Sequence, residues 1–225
     1  MATPEPAFPP DLVDQLRAER VFAVCVVEDA DAGLRVAEAL RDGGIRSIEL
    51  AQRTPGSLAA LRAMADRFPD MRIGAGTVLR PDQVTAVADA GAAFAVAPGF
   101  NARVVDRARE IGLPYAPGIA TPSELEAALE RGCRLLKFFP AMPIGGLAYL
   151  KAIAGPYRLE APLFLPLGGV SEGSLASWLE SPLVGAVGGS WLTPAGDIAA
   201  GRFDAIRERA ARAVAIAQDA PTSQA

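Results

Sequence analysis

A single lysine stands in an otherwise apolar run, Arg134-Leu135-Leu136-Lys137-Phe138-Phe139-Pro140. Leucine and phenylalanine neighbours strip water from an ammonium group, which disfavours its charged form and frees the amine to attack a carbonyl carbon. The plainer reading is a strand-end lysine that carries its head out to water along an apolar stem. Glu49 and Arg53 form a second constellation, in Ser47-Ile48-Glu49-Leu50-Ala51-Gln52-Arg53. With a period of two, Ser47, Glu49, Ala51 and Arg53 share one strand face while Ile48 and Leu50 take the other. Glu49 is then either half of a structural ion pair with Arg53 or Lys137, or a general base beside the lysine. In the second case Arg53 suits a substrate anion, because its planar fork grips a carboxylate through two hydrogen bonds.

Two glycine pairs lie late in the chain, Gly168-Gly169-Val170 and Gly188-Gly189-Ser190. Paired glycines let backbone N–H groups approach an anion, and the Ser190 hydroxyl adds a donor. The chain has no histidine, which removes Ser-His and Cys-His nucleophile pairs and most protein zinc sites. Covalent chemistry falls to lysine, a carboxylate or an unassisted thiol, and neither a metal nor a cofactor is expected. Cys25 and Cys133 sit in apolar runs, Cys133 as core filler. Two thiols make no disulfide framework, so a reducing cytoplasm is expected.

These residues need a scaffold that brings distant strand ends together. Apolar β-type runs occur at Val21–Val27, Ser47–Gln52, Arg72–Val78, Phe94–Gly99, Pro114–Ile119, Arg134–Pro140, Leu163–Gly169 and Val184–Ser190. Helical stretches follow them near residues 30–42, 56–67, 81–90, 101–111, 122–131, 145–154, 171–180 and 202–217. Eight strands each followed by a helix predict a (β/α)8 TIM barrel, with an extra N-terminal helix near Asp11–Arg20. An open doubly wound sheet gives the same alternation, but no G-x-G-x-x-G turn follows the first strand. A barrel collects its functional residues at the C-terminal strand ends, and its last two loops commonly hold phosphate.

The 225 residues are 51% hydrophobic, enough for one barrel domain over 11–218. Residues 1–10 are expected to be loosely ordered and 219–225 a flexible tail. The net charge of −4, with no basic patch, argues against nucleic acid and anionic membranes as partners. No apolar run is long enough to span a bilayer, and the N-terminus does not read as a signal peptide.

With these motifs in strand order, the chain resembles the 2-keto-3-deoxy-6-phosphogluconate (KDPG) and 2-keto-4-hydroxyglutarate (KHG) aldolase family from about Val21 to Trp191. The segments that carry the resemblance are Glu49 to Thr54, Gly74 to Val78, Ala97-Pro98-Gly99, Pro117 to Thr121, Leu136 to Ala141, Gly168 to Val170 and Gly188 to Trp191. The resemblance implies a metal-free class I aldolase, a homotrimer of barrels, that joins a lysine to pyruvate as a Schiff base. It implies Lys137 as that lysine and Glu49 as the general acid/base. It further implies Arg53 and Thr77 around the pyruvate carboxylate, Pro98 and Phe139 as pocket walls, and Gly168, Gly169 and Ser190 around the phosphate. The substrate would be KDPG, cleaved to pyruvate and glyceraldehyde 3-phosphate.

Two departures stand out. Leu167 replaces the threonine common before the strand-seven glycines, as in the related 2-keto-3-deoxy-6-phosphogalactonate aldolases. Ala51-Gln52 replaces the usual Thr-Leu, a change expected to enlarge the pocket. KHG or phosphogalactonate cleavage by the same lysine chemistry is the near alternative. A phosphosugar isomerase or decarboxylase, or a non-catalytic barrel scaffold, is the distant one.

Overall fold

The computed structural model describes residues 7–221. Helices and parallel strands alternate. Helix α1 (Pro10–Glu19) precedes β1 (Val21–Cys25), and then come α2 (Ala30–Asp42), β2 (Ser47–Ala51), α3 (Ser57–Arg67), β3 (Arg72–Gly76) and α4 (Pro81–Asp89). Next are β4 (Ala95–Val96), α5 (Ala102–Glu110), β5 (Tyr115–Ala116), β6 (Gly118–Ile119), α6 (Pro122–Glu130) and β7 (Leu135–Phe138). The chain continues through α7 (Gly146–Ala154), β8 (Leu163–Pro166), α8 (Glu172–Leu179), β9 (Val187–Gly189), α9 (Ala195–Ala199) and α10 (Phe203–Asp219). Caps mark several helix starts. Asp29 accepts from Ala32 N–H at 2.8 Å, and Thr121 with Glu124 forms a capping box ahead of Pro122.

One sheet has the order β5-β4-β3-β2-β1-β9 and the other β6-β7-β8, with every pairing parallel. The fifth apolar run, expected as one strand, is split at Pro117, which has no N–H to give a ladder. Pro117 still accepts from Lys137 N–H at 2.9 Å, so the segment serves strands on both sides. The last run is also shorter than expected: Val184 makes only an isolated bridge to Phe164, and the strand proper begins at Val187. Helix α9 and the 3-10 turn at Gly155–Glu160 were not anticipated by the pattern of apolar residues.

The two faces of the strands feed different cores. Ile48, Leu50, Leu136, Phe138 and Phe164 join the larger cluster beneath the helices. Phe22, Phe94, Leu135, Leu165 and Leu167 form a smaller cluster on the other face, closed by Phe8 and Leu16. This is the period of two expected of strands covered on both sides.

The chain ends depart from expectation where they are described. Residues 1–6 and 222–225 lie outside the described residues. Ala7 and Phe8 are not loose: Phe8 is buried 6.1 Å from the Phe94 ring, and Ala7 O accepts from Tyr115 N–H. At the other end Asp219 still belongs to α10, Ala220 is buried, and the Arg20 guanidinium donates to the carbonyls of Ala220 and Pro221 at 2.6 and 2.8 Å. Apolar burial and carbonyl pairing thus order both segments. Among the described residues no helix is long and apolar enough to cross a membrane.

Candidate active site

Lys137 lies within β7 and Glu49 within β2, each buried by neighbours on both sides of its strand. The structure brings them together. Lys137 Nζ donates to Glu49 Oε1 at 2.7 Å and Oε2 at 3.0 Å, with the side chains 4% and 0% exposed. A buried ion pair is a weak source of stability, because desolvating two charges offsets most of their attraction. Here it holds an amine and a carboxylate within proton-transfer distance in a site screened from water. The Phe139 ring lies 5.5 Å from Nζ, in range for a cation–π contact. The Glu49 charge reaches Cys25 as well, whose thiol is pushed up to about 12 by burial first and by that carboxylate second.

The remaining sequence-predicted residues stand close beyond strand ends on one side of the fold. Thr77 follows β3 and Arg53 lies just past β2, and Arg53 Nε–H donates to Thr77 Oγ1 at 3.1 Å. Arg53 is exposed, and its two terminal nitrogens have no partner among the described residues. Its fork is therefore available to an anion. Thr77 holds a φ of 62°, a left-handed backbone that a β-branched residue rarely adopts. Arg53 and Thr77 thus pair with each other, whereas Glu49 pairs with Lys137 and not with Arg53.

Pro98 is half-buried past β4, and a Cβ at Gly118 would overlap the Pro98 carbonyl, so these two strand ends touch. Phe139 is half-buried past β7. Gly168 and Gly169 past β8 have φ values of 92° and 80°, a turn open to glycine. That turn is pinned to the segment after β7: Ala141 N–H donates to Leu167 O at 2.7 Å and Met142 N–H to Gly168 O at 3.0 Å. The second glycine pair differs. A Cβ at Gly188 would overlap Leu167 and Phe22, and one at Gly189 the Trp191 ring, so close packing accounts for both. Ser190 beside them is exposed.

Two positions modify the expected picture. Gln52 does not open onto the pocket. Its Nε2 donates to Leu50 O at 3.2 Å and its Oε1 accepts from Ser57 at 3.1 Å, which commits it to the turn into α3. Leu167 is buried in the smaller core cluster and offers no hydroxyl to a ligand. Sequence reasoning also passed over that turn, where the Thr54 hydroxyl donates to Val27 O at 2.6 Å and Ser57 to Thr54 O at 2.8 Å. Only the Thr54-Pro55-Gly56-Ser57 segment after β2 hinted at it.

The family model for KDPG and KHG aldolase matches residues 12–209. A 2-dehydro-3-deoxy-phosphogluconate aldolase of Treponema pallidum is 42% identical over 195 residues, covering 87% of this chain and 92% of that protein. The KDPG aldolase of Legionella pneumophila, solved with pyruvate captured at low pH as a covalent carbinolamine intermediate, superposes with a TM-score of 0.85. It is 37% identical and covers 90% of this chain and 97% of that one. The aldolase of Zymomonas mobilis with 3-phosphoglycerate superposes with a TM-score of 0.83 at 34% identity, covering 94% and 97% of the two chains. A buried lysine–glutamate pair joining β7 to β2, a matched family model and relatives near 40% identity lead to one assignment: the chain belongs to the KDPG and KHG aldolase family.

Proposed function

We infer that the protein is a class I aldolase that cleaves KDPG to pyruvate and glyceraldehyde 3-phosphate, with Lys137 as the Schiff-base residue. The observation that carries this is the buried Lys137–Glu49 pair in a chain without histidine. The covalent pyruvate carbinolamine in the Legionella relative supports the same chemistry. Lys137 passes a proton to Glu49 across 2.7 Å and adds as the neutral amine to the C2 ketone. Glu49 returns the proton to the carbinolamine hydroxyl, water leaves, and an iminium remains. Glu49 then takes the proton from the C4 hydroxyl. The C3–C4 bond breaks, its electron pair moves into the iminium to form an enamine, and the aldehyde departs. Protonation at C3 and hydrolysis release pyruvate and the free lysine.

In this reading Arg53 and Thr77 hold the carboxylate beside the reacting carbon, Pro98 and Phe139 wall the pocket, and Gly168, Gly169 and Ser190 receive the phosphate. The 3-phosphoglycerate in the Zymomonas structure is consistent with a phosphorylated ligand. The positions support a closed (β/α)8 barrel whose core takes in residues from Phe8 to Ala220. Pro117 interrupts one segment that serves both sheets, and Phe164 N–H donates to Leu183 O across the other pair of edges. A homotrimer fits the exposed Leu58, which lines a cavity with Gln83, and the exposed Leu79 bonded to Gln83, and a reducing cytoplasm fits two unpaired thiols.

The test is incubation with pyruvate and borohydride, followed by mass mapping and by cleavage assays on both C4 epimers of the phosphorylated substrate. A pyruvate-derived mass on the Lys137 peptide is expected. Lys137→Arg should lose both adduct and turnover, since an arginine keeps its proton. With Leu167 at the position before the glycine turn, the two epimers should differ less than where a threonine hydroxyl reads the substrate. Turnover retained by Lys137→Arg would sink the assignment.

A further inference from the structure

Gly76 is a glycine without a backbone reason to be one. Nine described glycines have positive φ values, and Gly76 is not among them, so an alanine could adopt its backbone. The space beside it is another matter. A Cβ built at Gly76 would overlap Glu49 Oε1 and stand 2.6 and 2.7 Å from Glu49 Cγ and Cδ. Gly76 ends β3, opposite Ala51 in register, while Glu49 lies opposite Gly74. The glutamate therefore runs along the neighbouring strand and rests its carboxylate where a side chain would begin. With Glu49 wholly buried and bonded through both oxygens to Lys137, the carboxylate has little room to yield without leaving the lysine.

We propose that Gly76 is a positioning residue for the reaction, its missing side chain forming the seat that holds the Glu49 carboxylate against Lys137 Nζ. This rests on the aldolase reading, in which Glu49 moves the protons. Gly74, two residues earlier, has a different task. A Cβ there would overlap the Phe94 ring, so its substitution tests packing in the smaller core and not the seat.

A double-mutant cycle tests the proposal, using the full-length protein, Gly76→Ala and Glu49→Ala. General acid–base catalysis contributes on the order of 100-fold or more. Displacing the carboxylate by Gly76→Ala should therefore lower kcat about 10- to 100-fold, with KM for KDPG changed by less than about threefold. In the Glu49→Ala background the added methyl enters vacated space. There Gly76→Ala should change residual kcat by less than about twofold, and its cost in Tm should shrink as well. The Tm comparison stands even if Gly76→Ala alone folds poorly, since the clash partner is absent from the double variant. Equal losses of kcat or Tm in both backgrounds would show that Gly76 serves strand packing alone and would overturn the proposal, as would a Gly76→Ala enzyme with unchanged kcat. Failure of the aldolase reading looks different: the unmutated protein would neither cleave KDPG nor trap pyruvate on Lys137.

Discussion

At the scale of single residues, the site rests on charge held in apolar surroundings, with the buried Lys137 amine bonded to both oxygens of Glu49. Lys137 among leucines and phenylalanines, and Glu49 on a strand face that excludes Ile48 and Leu50, needed only the period of two to be aimed at the same interior. Their partnership was one of two left open, and distance settled it. Arg53 bonds Thr77, while Lys137 takes both oxygens of Glu49. What could not be read was the neighbourhood of the pair. The role of Gly76 depends on where a glutamate on another strand lies down, and the φ of 62° at Thr77 has no signature in its residue type. That Arg53–Thr77 contact leads to a prediction. Arg53 spends Nε on the threonine and keeps two nitrogens for an anion, whereas a lysine has a single ammonium for both tasks. Arg53→Lys should raise KM for KDPG about tenfold, a loss of about 1.4 kcal/mol in binding, with a smaller effect on kcat. Steady-state kinetics decide it: if kcat falls while KM holds, Arg53 acts in the transition state and not as a ground-state clamp.

At the scale of elements, alternation of apolar runs and amphipathic stretches located the strands and most helices, because burial on both faces makes each strand a short continuous apolar segment. Boundaries were lost where one residue overrides the pattern. Pro117 splits a run that is apolar throughout, and Pro194 precedes the five-residue helix α9, too short to show a period. Order at Ala7 and Phe8 was missed because the prolines around them read as a loose lead-in, yet Phe8 joins Leu16 of the expected helix in closing the smaller core cluster. Helix α1 is therefore part of the core and not an appendage. Leu16 is 2% exposed against Phe8, Phe22 and their neighbours in that cluster, so Leu16→Ala should cost about 2–5 kcal/mol through lost transfer energy and a residual cavity. Urea unfolding monitored by circular dichroism measures the shift in midpoint. A loss under about 0.5 kcal/mol, the range of ordinary surface substitutions, would mean that α1 sits on the fold without sealing it.

At the scale of the whole molecule, the fold buries both thiols and so keeps them apart from the chemistry of Lys137. Cys25 is pushed up to about 12 by burial and then by the Glu49 charge. Cys133 is pushed up to about 11 by burial, which outweighs the guanidinium groups of Arg109, Arg131 and Arg134. Both are neutral thiols at pH 8, and neither reaches solvent without opening of the structure. The native protein should resist iodoacetamide at pH 8 and label at both cysteines once urea unfolds it. The same shifts set a pH dependence. A thiol in the unfolded chain ionises near pH ~8.5. The native thiols ionise later, so their contribution to stability is complete below that value and is lost as pH rises toward 11 and 12. Buried Tyr115, raised by desolvation, works in the same direction, so the cysteine share must be isolated by comparison. Unfolding in urea at pH 8 and pH 10.5 should show a smaller alkaline loss in Cys25→Ala/Cys133→Ala than in the parent chain, whatever the cavities cost at both pH values. Equal losses, together with rapid labelling of the native protein, would mean that the thiols are reached by local opening and carry none of the alkaline sensitivity.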